Sequence, residues 1–175
     1  MIRLLILLLL FPWTPAQGAQ ATILILNFEI EDDLLAQGGP VDVRENERRL
    51  TLAHGVMTEE FRERALFRLA DKSVVDAMIA KVRESQALHT CNGCEIEIAR
   101  QAGADYVLVG WVQKVSNLIL NVNAGIKDVK SGEFVLTRSV DLRGNTDPSW
   151  IRAVKRLAAD LHTRLGGELL RRSAL

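Results

Sequence analysis

The two cysteines of this 175-residue chain lie three positions apart, in the run His89-Thr-Cys91-Asn-Gly-Cys94-Glu95. Cysteines at this spacing can form a disulfide, bind a metal ion or exchange thiols with another protein. The Asn-Gly pair between them favours a tight turn that brings the two sulfur atoms together. A disulfide is the leading interpretation, because thiol pairs of exported proteins meet an oxidising compartment.

Redox catalysis and metal binding at Cys91 and Cys94 stay open as alternatives. The motif precedes a predicted helix, whose N-terminus would lower the pKa of a thiol. A thioredoxin fold, however, needs a further crossover helix after the motif, whereas three strands follow here. Zinc would accept His89, Cys91 and Cys94 as ligands, but the chain offers no second Cys-x-x-Cys pair. Covalent haem attachment would need histidine where Glu95 stands, so we expect no cofactor.

The first 21 residues are predicted to be an export signal. Arg3 precedes an apolar run over residues 4–11, which is far shorter than the roughly 20 residues needed to span a bilayer. Ala19-Gln-Ala21 fits a cleavage site, and Ala16-Gln-Gly18 offers a second one. We therefore expect a periplasmic protein that keeps no stable membrane anchor after cleavage.

The remaining chain has the length of one domain, predicted over residues 22–167 with a tail over residues 168–175. The full sequence carries 22 basic and 22 acidic residues. This balance lacks the positive charge expected of a nucleic-acid-binding protein.

Hydrophobic periodicity predicts the element order β-α-β-α-α-β-β-β-α. The predicted strands cover residues 22–30, 66–70, 106–115, 117–129 and 134–143. The predicted helices cover residues 47–66, 73–85 and 94–102 and a closing segment from Asp147 to Gly167. Ile23 to Leu26 is continuously apolar, which is typical of a strand with both faces covered. The acidic stretch after it, Glu29 to Asp33, lacks the EF-hand spacing and predicts a solvated loop.

These elements indicate an α/β fold of the α+β type. We expect two layers, with a mixed sheet, a C-terminal antiparallel meander of three strands and helices on one face. Along the last two strands apolar and polar side chains alternate, with Phe134, Leu136 and Val140 on the core side. The polar face is a candidate partner surface, to which we add the tryptophan that opens the last helix; its residues are Asn121, Asn123, Thr137, Ser139, Asp141 and Trp150.

Motifs of common enzyme classes are absent from the sequence. It contains neither the Gly-x-Ser-x-Gly elbow of serine hydrolases nor a P-loop nor a dinucleotide-binding glycine pattern. We therefore predict that the protein is not an enzyme and has no catalytic residues.

Several segments resemble a family of exported bacterial proteins of unknown function, over most of residues 22–165. The segments are Cys91-Asn-Gly-Cys94, Gly103-Ala-Asp-Tyr-Val-Leu-Val-Gly110, Lys114-Val-Ser-Asn-Leu-Ile-Leu120 and Gly144-Asn-Thr-Asp-Pro-Ser-Trp150. The resemblance implies a periplasmic protein with a paired Cys-x-x-Cys. More distantly, the Gly-Ala-Asp strand, the Asp128 to Gly132 turn and the closing helix are similar to the N-terminal α/β domain of the Tol–Pal translocation protein and to the curli secretion lipoprotein.

These distant relatives are assembly or interaction proteins, but this chain lacks the propeller of the first and the lipid anchor of the second, so their functions do not transfer. The export signal, the complete core pattern and the lack of a catalytic set predict a non-enzymatic periplasmic protein that binds an envelope protein or helps to assemble one. The alternative is a periplasmic thiol–disulfide or metal-binding protein that acts through Cys91 and Cys94. The resemblance associates that alternative with an accessory role in a quinoprotein oxidation system.

Overall fold

The computed structural model describes residues 20–33 and 42–173. Most of the predicted export signal, residues 1–19, lies outside the described residues, as do residues 34–41 after the acidic stretch. The elements in chain order are β1 Thr22–Ile25, β2 Glu29–Asp32, α1 Val43–Arg64, β3 Arg68–Leu69, α2 Asp76–Arg83, α3 Cys94–Gln101, β4 Tyr106–Lys114, β5 Ile119–Asp128, β6 Phe134–Arg143 and α4 Asp147–Ser173. A short 3₁₀ helix, Lys72–Val75, leads into α2.

All six strands form one mixed sheet in the order β3-β1-β4-β5-β6, and β2 also pairs with β4. The β3-β1-β4 pairings and the β2-β4 pairing are parallel, while β4, β5 and β6 form an antiparallel meander. Parallel neighbours need crossover connections, and α1 and the pair of short helices supply them. The α+β class and the meander predicted from the sequence are confirmed.

The long helices α1 and α4 lie together on one face of the sheet and cover its larger core. Ile23 and Ile25 of β1 point into this core. Leu24 and Leu26 point to the opposite face, where α2 and α3 cover a smaller cluster. The continuous apolar run of β1 therefore has both faces buried, as the sequence predicts. The smaller cluster adds a partial third layer over β1 and β4.

One extra residue between β1 and β2 reverses the side-chain alternation of the first strand. Ile25 pairs with Leu108 and Glu29 with Trp111, so four steps along this edge match three along β4. Such a bulge shifts the following side chains to the opposite faces. Phe28 thereby enters the larger core, and Glu29 points to the opposite face.

A second irregularity changes the predicted position of Phe134. The β5-β6 register shifts at Ile126/Lys127, so that Ile126 pairs with Leu136 while Lys127 pairs with Phe134. Phe134 therefore leaves the core face and lies half exposed over Gly125, where the Lys127 ammonium sits 4.6 Å from the ring centroid. The sequence-based assignment of Phe134 to the core side is wrong for this reason.

Both long helices differ from their predicted bounds: α1 begins four residues earlier and ends two residues earlier, and α4 ends later. Helix α1 starts at Val43, where the Asp42 carboxylate accepts a hydrogen bond from the Glu45 N–H at 3.0 Å. Helix α4 continues through Gly166 and Gly167 to Ser173. Two glycines cost a helix about 1 kcal/mol each, which the buried Leu165 and the preceding turns offset.

Replacing Gly110 with alanine is expected to lower the free energy of unfolding by about 1 to 3 kcal/mol, because a methyl group there overpacks the core. A Cβ atom at this position would lie 2.5 Å from the buried Phe28 ring. Urea denaturation measures the change. Gly55→Ala is the matched control, since its Cβ would meet no atom within 4 Å, and a gain of about 0.4 to 1 kcal/mol is expected. Equal stability of Gly110→Ala and the wild type would contradict this packing.

Candidate functional site

Cys91 and Cys94 form a disulfide at the start of α3, with their Cα atoms 5.8 Å apart. Gly93 between them has φ +99°, a conformation that side chains rarely adopt, and it leads directly into the helix. Cys91 is buried. The disulfide therefore fixes the loop that enters α3, and its second cysteine is the first residue of the helix.

Glu95 is fully buried beside the disulfide. Its Oε2 atom lies 2.9 Å from Cys91 Sγ and accepts a hydrogen bond from the Gly93 N–H at 3.2 Å. Its Oε1 atom forms an ion pair with Lys127 of β5. A carboxylate in the first turn of a helix is also favoured by the helix dipole. Glu95 thus joins the cysteine loop to the sheet.

His89 lies before the disulfide and points away from it, between two carboxylates. Its Nδ1 atom is 2.7 Å from Glu29 Oε2, and its Nε2 atom is 2.9 Å from Glu31 Oε1. The ring stacks on Trp111 with centroids 5.4 Å apart. Glu29 also accepts hydrogen bonds from the Leu88 and His89 N–H groups at 2.9 and 3.0 Å. The predicted solvated loop is therefore wrong for Glu29, which is buried.

Carboxylates on both ring nitrogens favour the doubly protonated imidazolium. Burial by itself would lower the pKa of His89, but the hydrogen bonds and charges of Glu29 and Glu31 outweigh it and raise the pKa. Burial would raise the pKa of Glu29, but the His89 side chain and the two backbone N–H groups lower it. The network therefore contains a protonated His89 and an ionised Glu29, with the His89 ring stacked on Trp111.

This geometry removes His89 from the set of predicted metal ligands. Within residues 20–33 and 42–173, the group whose ligand atoms approach one another within 4.8 Å is Cys91, Cys94 and Glu95. His89 is absent from this group because Glu29 and Glu31 engage both of its ring nitrogens. The two sulfur atoms are bonded to each other, and Glu95 is paired with Lys127.

The predicted partner surface is divided by the structure. Five of its residues lie on the sheet face that α1 and α4 leave open, with the β6 members exposed and the β5 members half-buried; these are Asn121, Asn123, Thr137, Ser139 and Asp141. Trp150 is fully buried in the larger core, and its Nε1 atom donates to Asn145 Oδ1 at 2.9 Å. Trp150 therefore cannot belong to the exposed surface, because it is the core anchor of the turn before α4.

The hairpin tip between β4 and β5, residues 115–119, exposes three large apolar side chains. Leu118 is 74% exposed, Ile119 59% and Val115 43%. Exposed large apolar residues grouped in this way mark interaction surfaces more often than scattered ones do. Alternation along the strands does not indicate this feature, because the tip interrupts it. In the sequence this feature shows only as the apolar pair Leu118-Ile119 at a turn, where polar residues are expected.

Hydrogen bonds link this apolar tip to Ser116 and to the turn before α4. Ser116 Oγ accepts from the Leu118 and Ile119 N–H groups at 3.2 and 3.1 Å. The Gly144 N–H donates to Leu118 O at 3.3 Å, and the Asn145 N–H donates to Asn117 O at 3.1 Å. Since Trp150 binds the Asn145 side chain, the buried indole indirectly fixes the tip. Two of the sequence segments that carry the family resemblance meet here.

A buried ion pair supports the base of the tip. Lys114 Nζ lies 2.9 Å from Asp32 Oδ2, and both side chains are almost completely buried. Asn46 of α1 donates to the same oxygen at 3.1 Å. Breaking one partner of such a pair is strongly destabilising, since it leaves a buried charge unpaired. The end of β4 is thereby tied to β2 and to the first turns of α1.

The free energy of unfolding of the wild type is expected to fall as the pH rises, and replacing His89 with glutamine is expected to reduce this fall. The pKa of His89 lies above 6.5 in the folded protein, so its stabilisation is complete below that pH and is lost as pH rises through the folded value. Urea unfolding at intervals from about pH 6 to about pH 9 measures this effect. His162→Gln in α4 is the matched control and should keep the wild-type decline. An unchanged alkaline decline in His89→Gln would contradict the charged network.

Solved structures with similar folds share little sequence with this chain. The hypothetical protein CT253 from Chlamydia trachomatis is 11% identical with a TM-score of 0.53, and the match covers 82% of this chain and 96% of that one. Lipoprotein GNA1162 from Neisseria meningitidis is 18% identical with a TM-score of 0.49, covering 73% and 83%. TolB from Acinetobacter baumannii is 13% identical with a TM-score of 0.47, covering 82% and 28%. The CT253 match shows a shared fold.

Across the part of the chain that the structure describes, no helix has both the length and the apolar character to cross a bilayer. The comparison with curated proteins gives no match. A family model, by contrast, matches residues 21–161, which is most of the chain. This chain therefore belongs to the DUF3280 family, described as "Protein of unknown function (DUF2380)".

Proposed function

We propose that this protein is a non-enzymatic periplasmic protein that binds another envelope protein through the apolar tip. The observation that carries the proposal is the exposure of Leu118 and Ile119 at the end of the sheet, in a tip whose backbone is hydrogen-bonded to Ser116. Covering a large apolar side chain contributes roughly 1.5 kcal/mol or more to association. A tip that is already ordered loses little conformational entropy on binding, so more of that free energy becomes affinity.

The open polar face of the meander extends this surface. Asn121 and Asp141 pair across β5 and β6, and their side chains lie within hydrogen-bonding reach at 2.9 Å once the Asn121 amide is turned. Thr137 and Ser139 add exposed hydroxyl groups next to them. An apolar centre with a polar surround is the usual composition of a protein interface. We place the partner's main contact at the tip and its polar contacts on this face.

The export-signal pattern over residues 1–21 and the oxidised cysteine pair support a periplasmic location. Disulfides persist in oxidising compartments, and Cys91 is buried while Cys94 is half-buried. In this proposal the disulfide is structural, and thiol exchange and metal binding are not its function. The buried Glu95–Lys127 pair serves to anchor the cysteine loop.

Replacing both cysteines with serine is expected to lower the free energy of unfolding by about 2 kcal/mol, because the disulfide closes a short loop. The folded protein should still form and bind its partner. The reduction potential of the wild-type pair, measured against glutathione and dithiothreitol, is expected below about −300 mV. A potential between about −120 and −200 mV would contradict a purely structural disulfide and favour the thiol-exchange alternative.

The tip itself is tested by a photo-crosslinking amino acid placed at position 118. Illumination of cells that export the protein is expected to give a discrete protein adduct, which mass spectrometry identifies. The control carries the same amino acid at position 63, where Glu63 is exposed on α1, and should give no adduct. Serine at both positions 118 and 119 should reduce binding of the identified partner at least tenfold without loss of stability.

Two results would overturn the proposed contact. One is the absence of any protein adduct at position 118 at natural expression. The other is retention of the protein on vesicles of phosphatidylethanolamine and phosphatidylglycerol, with loss of retention in the serine variant. That second result would assign the tip to a lipid surface instead of a protein.

A further inference from the structure

The edge strand β6 runs beside a groove that is rich in arginine. Strand β6 is the last strand of the sheet and pairs only with β5 among the described residues. The groove between this edge and the first turns of α4 has a volume of about 550 Å³. Its polar lining consists of Asp141, Arg143, Ser149, Arg152 and Arg156.

The three arginines of this groove lack an acidic partner. Arg152 Nη2 lies 3.2 Å from Ser149 Oγ, while Arg143 and Arg156 form no ion pair within the described part of the chain. The next arginine along the edge, Arg138, differs because it pairs with Asp160 at 3.0 Å. The groove therefore presents three guanidinium groups and one carboxylate, that of Asp141, beside the edge strand of the sheet.

The edge strand and α4 run side by side in opposite directions. The groove brings Arg143 close to the first turns of α4, whereas Arg138 lies opposite Asp160, further along the same helix. Five residues of a strand and eleven residues of a helix each span roughly 16 Å, so equal lengths of β6 and α4 lie opposite each other. A strand added to β6 would therefore lie parallel or antiparallel to the row formed by Arg152 and Arg156.

The spacing of that row matches an extended chain. Arg152 and Arg156 are four helical residues apart, which is about 6 Å along the axis. Side chains on one face of a strand recur every two residues, about 6.6 Å apart. Carboxylates at positions i and i+2 of an added strand would each meet a guanidinium. Arginine binds carboxylates through two parallel hydrogen bonds, which makes such pairing selective.

We infer that β6 receives an extended acidic segment of a partner protein, which adds to the sheet as a further strand and places alternate carboxylates in the arginine groove. This inference rests on the proposed function and names the partner's chemistry at that site. The groove adjoins the apolar tip, since Ile119 of the tip pairs with Arg143 of β6. One partner can therefore cover both surfaces.

The inference is tested with synthetic peptides and the intact mature protein. The probe is a fluorescent octapeptide in which glutamate alternates with threonine. Its anisotropy is expected to show saturable binding, and amide hydrogen exchange in β6 should slow when it binds. The double variant Arg152→Gln/Arg156→Gln should weaken binding at least tenfold, whereas the control Arg100→Gln, at an exposed position of α3, should not.

Two modified peptides separate strand addition from simple charge attraction. A version with N-methylated backbone amides keeps its charge but cannot pair with an edge strand, and it should not bind. A version with glutamine in place of glutamate should bind at least tenfold more weakly. Equal binding of either version, absence of binding by the parent peptide, or self-association of the protein through β6 would overturn the inference. The peptide does not need the apolar tip in order to bind. If the peptide fails to bind, the crosslinking experiment at position 118 still tests the proposed function separately.

Discussion

The extra residue between Ile25 and Glu29 is the constraint on which the rest of this structure depends. A regular strand would place Glu29 on the same face as Ile25, inside the larger core, where an unpaired carboxylate is costly. The bulge turns the side chains that follow it to the opposite faces of the sheet. Phe28 then fills the space that Gly110 leaves open, and Glu29 accepts hydrogen bonds from backbone N–H groups of the loop before the disulfide. The core and the cysteine loop therefore share one backbone irregularity.

Periodicity predicts those parts of the fold in which one face is buried. The meander strands and the helix α3 were predicted within one or two residues, because their apolar residues repeat at regular intervals. The bulge between Ile25 and Glu29 and the register shift beside Phe134 interrupt the regular alternation of side chains, and the alternation itself does not show where such interruptions occur. The pairing of Glu29 and Glu31 with His89 joins residues almost sixty positions apart. No local pattern carries that information.

The candidate site was predictable in part for the same reason. The cysteine pair is a local motif, and the polar side chains of β5 and β6 alternate visibly in the sequence. Trp150 is different, because its hydrogen-bond partner Asn145 is supplied by the turn before the helix, and its ring fits a space that only the assembled core defines. The apolar tip was part of a family-like segment, yet its conformation depends on hydrogen bonds to the turn before α4, which lies far away in sequence.

The two tryptophans of the described chain lie in contrasting surroundings, which has a spectroscopic consequence. Trp111 stacks on the His89 ring, and a protonated imidazole quenches the emission of an adjacent indole. Trp150 is fully buried and donates a hydrogen bond to Asn145, whose N–H group donates to Asn117 O of the apolar tip. The intrinsic fluorescence of the folded protein should therefore come mainly from Trp150 and be blue-shifted. It gives a label-free optical signal from the segment that holds the tip in place.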